Sequence, residues 1–201
     1  MSLVPSDEEL VQRIGAGQLE AVATLYDRYA SVLFPLAVRI LHDRAEAEDL
    51  VHDAFVAVAD RAGQYVAERG AVGPWLVTLV RNLAIDRTRR RDRRGALARD
   101  VVAHEPVEPV PDAEALTSAA ASRAQVRRAL ATLPEVQRIT LEIAFFEGLS
   151  YPEIAAREGV PLGTIKSRAA RAISSLREAL VREGFAFEEL SLGNVATKKG
   201  P

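Results

Sequence analysis

Apolar residues in this chain recur at every third or fourth position, and nowhere do they alternate in the period of a strand. That spacing confines the chain to helices, because it places apolar side chains along one stripe only when the backbone turns about 100° per residue. The pattern begins near Ser6 with Leu10, Val11 and Ile14, and Gly15 and Gly17 interrupt it. A longer stripe follows through Val22, Leu25, Tyr26, Tyr29, Val32, Leu33, Leu36 and Ile40. Pro35 lies inside it and lacks the amide that a helix needs, so a kink or break is expected there. His42-Asp43 closes the segment, and Ala45 to Ala59 then carries Leu50, Val51, Ala54, Phe55 and Val58 on one side. Ala62 to Gly73 reads as a loop, and Pro74 marks the start of a helix from Trp75 to about Arg91.

Beyond Arg93 the periodicity is lost. The stretch VVAHEPVEPVPDAEA combines prolines with acids and reads as a flexible, extended linker. Helical spacing returns at Ala119 and continues to Leu133; further helices follow, from Pro134 to Phe146, from Ser150 to Gly159, and from Thr164 to about Arg182. The expected architecture is all-α, with two small helical domains. Residues 1–19 form an arm and first helix packing on the first domain, 20–95. An acidic linker spans 96–118, the second domain covers 119–183, and 184–201 form a short tail.

The second domain carries the most specific local pattern. Ser150-Tyr-Pro-Glu153 is a capping box with Pro152 near the first helical position. Gly159 supplies the stop, Val160-Pro-Leu-Gly163 the turn, and Thr164 is expected to cap the following helix through its hydroxyl. On a helical wheel, Ile165, Ala169, Ala172, Leu176 and Leu180 share one face. Ser167, Arg171 and Ser174 lie opposite, with Lys166 and Arg168 on the flanks. An inward apolar stripe with an outward Arg/Ser face suits a helix-turn-helix docking in the major groove of duplex DNA. Alone, the motif would serve any duplex-binding regulator.

Charge supplies a second pointer. The formal net charge is only −2, yet residues 1–60 hold eleven acids against four arginines. Residues 81–99 hold eight arginines against two aspartates, and residues 100–117 hold five acids with no Lys or Arg. Such blocks imply different partners, the basic one facing a polyanion. In PWLVTLVRNLAIDRTRRRDRR, Trp75, Leu79 and Leu83 can anchor a face, while Arg81, Asn82, Asp86, Arg89 and Arg90 project elsewhere. The preceding loop holds Tyr65, Val66 and Arg69, and an aromatic beside a basic helix can hold an unstacked base. An arginine run by itself is equally a solvated face.

With no cysteine, disulfides and thiolate metal sites are excluded. No apolar run approaches the roughly 20 residues of a membrane span, and MSLVPSDEELVQ lacks an apolar signal core, so a cytoplasmic protein without membrane insertion is expected. Glu46, Glu48, Asp49, His52 and Asp53 share one helix and raise a metal-enzyme reading. No second ligand cluster at matching spacing accompanies them, and no nucleophile, triad or phosphate loop is evident, so no cofactor, metal or catalytic residue is expected.

Four stretches together resemble the extracytoplasmic-function (ECF) sigma factors, the small alternative sigma subunits of bacterial RNA polymerase. They are LYDRYASVLFPLAVRIL, DRAEAEDLVHDAFVAV, PWLVTLVRNLAIDRTRRR, and the segment from Thr132 to Arg177, in that order. The resemblance implies a region-2-like domain that binds the polymerase clamp and melts the −10 element, and a region-4-like domain that reads the −35 element and contacts the flap. It places Asp49, Leu50, Asp53 and Phe55 on the polymerase-binding helix. Tyr65, Val66, Arg69, Trp75, Arg81, Asn82, Asp86, Arg89 and Arg90 would serve the −10 element and strand capture, and Thr164, Lys166, Ser167, Arg168 and Arg171 the −35 element. It also implies control by an anti-sigma factor. Val72 and Gly73-Pro74 stand where the family often carries an aromatic.

Overall fold

A computed structural model describes residues 4–95 and 118–184, with the side chains of 69, 94, 95 and 118–123 left undescribed. The expected linker and the expected tail after Gly184 therefore lie outside the described residues. Among the described residues there is no strand. The chain divides into two compact units, one containing residues 4–95 and the other 118–184.

The first unit holds four helices: α1 (Asp7–Gly15), α2 (Glu20–Leu41), α3 (Arg44–Arg61) and α4 (Val72–Gly95). Ser6 caps α1 by a reciprocal box, accepting from the Glu9 amide at 3.1 Å while its own amide donates to Glu9 Oε2 at 3.0 Å. Asp43 caps α3 through the Glu46 amide at 2.9 Å. The long helix α2 lies against α1, α3 and α4 and supplies fully buried Leu25, Leu33, Ala37 and Leu41. Helix α3 buries Leu50, Val51, Ala54, Phe55 and Val58, and α4 buries Val72, Leu76, Val80 and Ala84.

The chain does not break at Pro35: α2 runs through it. Pro35 is exposed, while Leu33, Ala37 and Val38 on either side are buried, so tertiary packing of the flanking turns outweighs one missing hydrogen bond. Two 3-10 turns, Ala62–Gln64 and Ala67–Arg69, occupy the expected loop. Helix α4 starts two residues earlier than Pro74, which falls in the first turn where no amide bond is lost.

The second unit holds α5 (Ser118–Ala131), α6 (Glu135–Glu142) continued by a π-helical turn (Ile143–Glu147), α7 (Tyr151–Glu158) and α8 (Leu162–Arg182). Ile143, Ile154, Ala155 and Ile165 form one buried cluster, sealed by Leu149, Tyr151 and Val160. Ala129, Ala179 and Leu180 form another, which holds α5 against the far end of α8. Thr140 is wholly buried and satisfies its hydroxyl by donating to Val136 O at 2.7 Å.

Candidate nucleic-acid interface

Local chemistry sets the entry to the recognition helix. The Ser150 amide donates to Glu153 Oε2 at 2.7 Å, and Gly159 adopts φ +66°, so the capping box and stop read in the sequence are both present. A side chain at 159 would be strained by that left-handed backbone. The start of α8 differs from expectation. Pro161, fixed at φ −58° and ψ 142°, takes the capping position, and no side chain caps the helix. Thr164 lies in the first turn, its amide already donating to Pro161 O at 2.9 Å. Proline's locked φ suits the entry to a helix, which displaces the start by two residues.

From there the wheel divides α8 into two faces. Ile165, Ala169 and Ala172 are at most 1% exposed, whereas Lys166, Ser167, Arg171 and Ser174 lie on the open side. Leu180 is buried and Leu176 packs as a half-buried neighbour. Ser167 donates to Thr164 O at 2.9 Å, which leaves its oxygen as an acceptor. Arg168, on the flank, is half-buried and donates to Glu158 Oε2 at 2.8 Å. The end of α7 comes close to the second turn of α8, and spacing along α8 alone carries no sign of that approach.

In the first unit, Tyr65 and Trp75 stack at 5.5 Å between ring centroids, tilted by 57°. The Tyr65 hydroxyl donates to Gly70 O at 2.9 Å, tying the loop into a closed turn. Burial, aided by the charges of Glu8, Asp7 and Glu68, raises its pKa. Val66 is exposed on this loop, and the Arg69 side chain is outside the described residues. A Cβ at Gly73 would sit 3.1 Å from the Tyr29 ring, so Tyr29 fills the space that a side chain at 73 would take.

Along α4, Asn82, Asp86, Arg89 and Arg90 are exposed. Half-buried Arg81 donates to Asn82 Oδ1 at 3.1 Å; its pKa is lowered by burial and by the charge of Arg89. Arg87 and Arg91 do something else. Arg87 donates to Glu46 O at 3.0 Å and to Asp53 Oδ2 at 2.9 Å, and Arg91 donates to Leu41 O at 3.2 Å. Both continue the inward stripe of Val80 and Ala84 at intervals of three and four, the signal that could have separated them from the other arginines.

On α3, Asp49 and Asp53 are exposed, but Leu50 and Phe55 are 2% and 3% exposed. Phe55 meets the edge of Tyr26 at 5.0 Å. These two residues therefore fasten α3 into the core, and its open surface is acidic. A shallow groove between α3 and α4 is lined by Leu50, Asp53, Leu83, Asp86, Arg87 and Arg90. Glu46 turns toward Arg91, at 3.8 Å, and His52 lies edge-on to Tyr26 at 5.7 Å. Among the described residues, no three His, Cys, Asp or Glu side chains converge as a metal site, and no helix is long and apolar enough to cross a membrane.

Comparison with known proteins matches two separate parts of the chain. Residues 25–94 match the family described as Sigma-70 region 2, and residues 123–176 match Sigma-70, region 4. The ECF RNA polymerase sigma factor SigK of Mycobacterium sp. (strain KMS) is 32% identical over 178 residues, covering 85% of this chain and 89% of the relative. The protein of the same name from Mycobacterium ulcerans (strain Agy99) is 32% identical over 182 residues, covering 85% and 91%. Among solved structures, Rhodobacter sphaeroides SigE in complex with the anti-sigma ChrR is 32% identical, covering 86% of this chain and 99% of that one, with a TM-score of 0.42.

Proposed function

The chain belongs to the ECF sigma factors, and we propose that its two units divide promoter recognition between them as the halves of a bipartite reader. A sigma factor is a transcription initiation factor, so the chemistry of interest is binding and not catalysis. We assign no catalytic residue to this chain, and we place its action in the cytoplasm, where polymerase and promoter meet.

In this reading the second unit lays α8 in the major groove of the −35 element. Lys166 and Arg171 supply cations, Arg171 with a fork able to bond a guanine edge, and Ser167 offers an acceptor. Thr164, in the first turn of α8, meets the phosphates through its hydroxyl. The observation that carries the assignment is the split of α8 into a face at most 1% exposed and an opposite face of Lys166, Ser167, Arg171 and Ser174.

The first unit takes the −10 element. The loop closed by Tyr65 and Gly70, with Val66 at its surface and Trp75 beneath, receives a base leaving the stack. Asn82 and Asp86 face bases of the opened strand, while Arg81, Arg89 and Arg90 track its phosphates. Arg69 joins them from the same loop. The acidic surface of α3, with Asp49 and Asp53 outward and Leu50 and Phe55 beneath, docks on the polymerase clamp, and the second unit contacts the flap. An anti-sigma protein that covers these surfaces would hold the factor inactive.

The test combines the full-length chain with bacterial core RNA polymerase and a promoter fragment. A sigma factor starts transcripts only with core present and binds DNA weakly alone; a conventional operator-binding regulator binds without core and starts none. Arg171→Ala should weaken −35-dependent initiation by about 1–3 kcal/mol. Asn82→Ala should impair strand opening, read by permanganate reactivity of unpaired thymines, more than closed-complex formation. Normal initiation by both variants would overturn the residue assignment.

A further inference from the structure

Arg168 turns away from the face that Lys166 and Arg171 present. Its Nη1 lies 2.8 Å from Glu158 Oε2, and the two side chains keep only 26% and 23% of their exposure. Glu158 is the last residue of α7 and Arg168 stands in the second turn of α8, so the pair spans the intervening turn at its base. Arg157, the preceding residue, reaches the other way and pairs with Glu147 at the end of the π-helical turn. The short helix α7 is thus fastened at one end to both of its neighbours.

The backbone of the turn from Gly159 to Pro161 and apolar packing hold the same junction. No side chain caps α8, and the contact between α7 and α8 is made by Ile154, Ala155 and Ile165. Ridges packed into grooves confine two helices to a few crossing angles with about 15–20° of scatter, and a short, oriented N–H···O bond between charged groups narrows that range.

We propose that Arg168 is a positioning residue for promoter reading. Through Glu158 it sets the crossing of α8 against α7, and so decides where Lys166 and Arg171 fall on the −35 duplex; it does not itself neutralise a phosphate. The proposal rests on the reading that α8 enters the −35 element.

The experiment uses holoenzyme assembled from the full-length chain and bacterial core polymerase. Its probe is a promoter fragment selected by the wild-type holoenzyme from a pool with a randomised −35 hexamer, set against the same fragment with that hexamer scrambled. The readouts are the ratio of the two affinities, its salt dependence, and the unfolding midpoint of the chain. Arg168→Gln and Glu158→Gln should each lower the ratio by about tenfold. Both should leave the slope of log affinity against log salt unchanged, because no phosphate contact is lost. The charge swap Arg168→Glu with Glu158→Arg should restore the ratio to near the wild-type value.

Three results would overturn the proposal. The first is a slope reduced by about 0.9 in Arg168→Gln, the signature of one lost phosphate contact on duplex DNA, with Glu158→Gln binding as well as wild type. The second is an intact ratio with a lowered unfolding midpoint, which makes the pair a stabilising one only. The third is a swap that folds and fails to rescue. Arg171→Ala run alongside separates the two levels. If it too keeps the ratio, the −35 reading of α8 fails and the proposal falls with it; if it loses the ratio, any failure belongs to Arg168 alone.

Discussion

Asp7 draws two side chains of α2 onto the first turn of α1. It accepts from Arg28 Nη1 at 2.5 Å and from the Tyr29 hydroxyl, while Arg28 Nη2 donates to Pro5 O at 2.8 Å. Burial pushes the Tyr29 phenol well above its ordinary value, and the bond to the Asp7 carboxylate and the charges of Asp7 and Glu8 push it further, with Arg28 alone opposing. The folded state therefore holds this proton more tightly than the unfolded chain does. Its contribution is complete below the unfolded value of about 10 and is lost as pH rises above that. Followed by tyrosinate absorbance, Tyr29 should be the last of the four tyrosines to ionise, in step with alkaline unfolding of the first unit. Tyr29→Phe should remove that late step and flatten the fall of stability above pH 10. Four tyrosines titrating together near the ordinary value, with helical circular dichroism retained, would contradict the assignment.

At the scale of the element, α4 shows how one arginine-rich sequence serves two purposes. Arg87 and Arg91 tie it to α3 and to the end of α2, while Arg89 and Arg90 lie on the exposed side. Arg87→Ala removes a bond to a backbone carbonyl and a pair with the largely exposed Asp53, so it should lower the stability of the first unit by about 1 kcal/mol. It should leave the salt dependence of promoter binding unchanged. Arg89→Ala combined with Arg90→Ala should do the reverse, reducing the salt slope by about 1.4 if each neutralises one phosphate of the opened strand. An unchanged slope in the double variant would remove both from the phosphate track.

What was legible in these elements is what adjacent residues decide. Ser150 with Glu153 and Gly159 with its left-handed backbone are settled within four residues, and the inward stripe of Ile165, Ala169 and Ala172 follows from helical period. Thr164 was misread because Pro161 competes for the same cap three residues earlier. Of the kink or break expected at Pro35, the break does not occur, because packing of the turns around it is a tertiary matter. Leu50 and Phe55 carry the period for burial and are buried, whereas their place on a polymerase-binding helix comes from the family resemblance alone. The Arg168–Glu158 pair and the Tyr65–Trp75 stack join residues ten apart, across turns whose geometry spacing does not encode.

For the whole molecule, each unit has its own buried core, and each carries one half of the proposed promoter contact. Two weak sites on one chain gain affinity because binding of the first holds the second at a high local concentration; avidity of this kind can exceed either single affinity by about 10²–10⁴. Separate cores mean that the gain depends on covalent connection and not on mutual folding. A protease site placed within 96–117 tests this directly. After cleavage each half should keep its helical circular dichroism and its own unfolding midpoint, since α1 to α4 and α5 to α8 bury their apolar residues within their own units. Initiation with core polymerase at limiting concentration should fall by about 10²-fold or more, and raising the concentration of the second half should restore it. Full initiation by the cleaved protein at limiting concentration would mean that core polymerase alone brings the halves together, and that the connection between them contributes nothing to promoter reading.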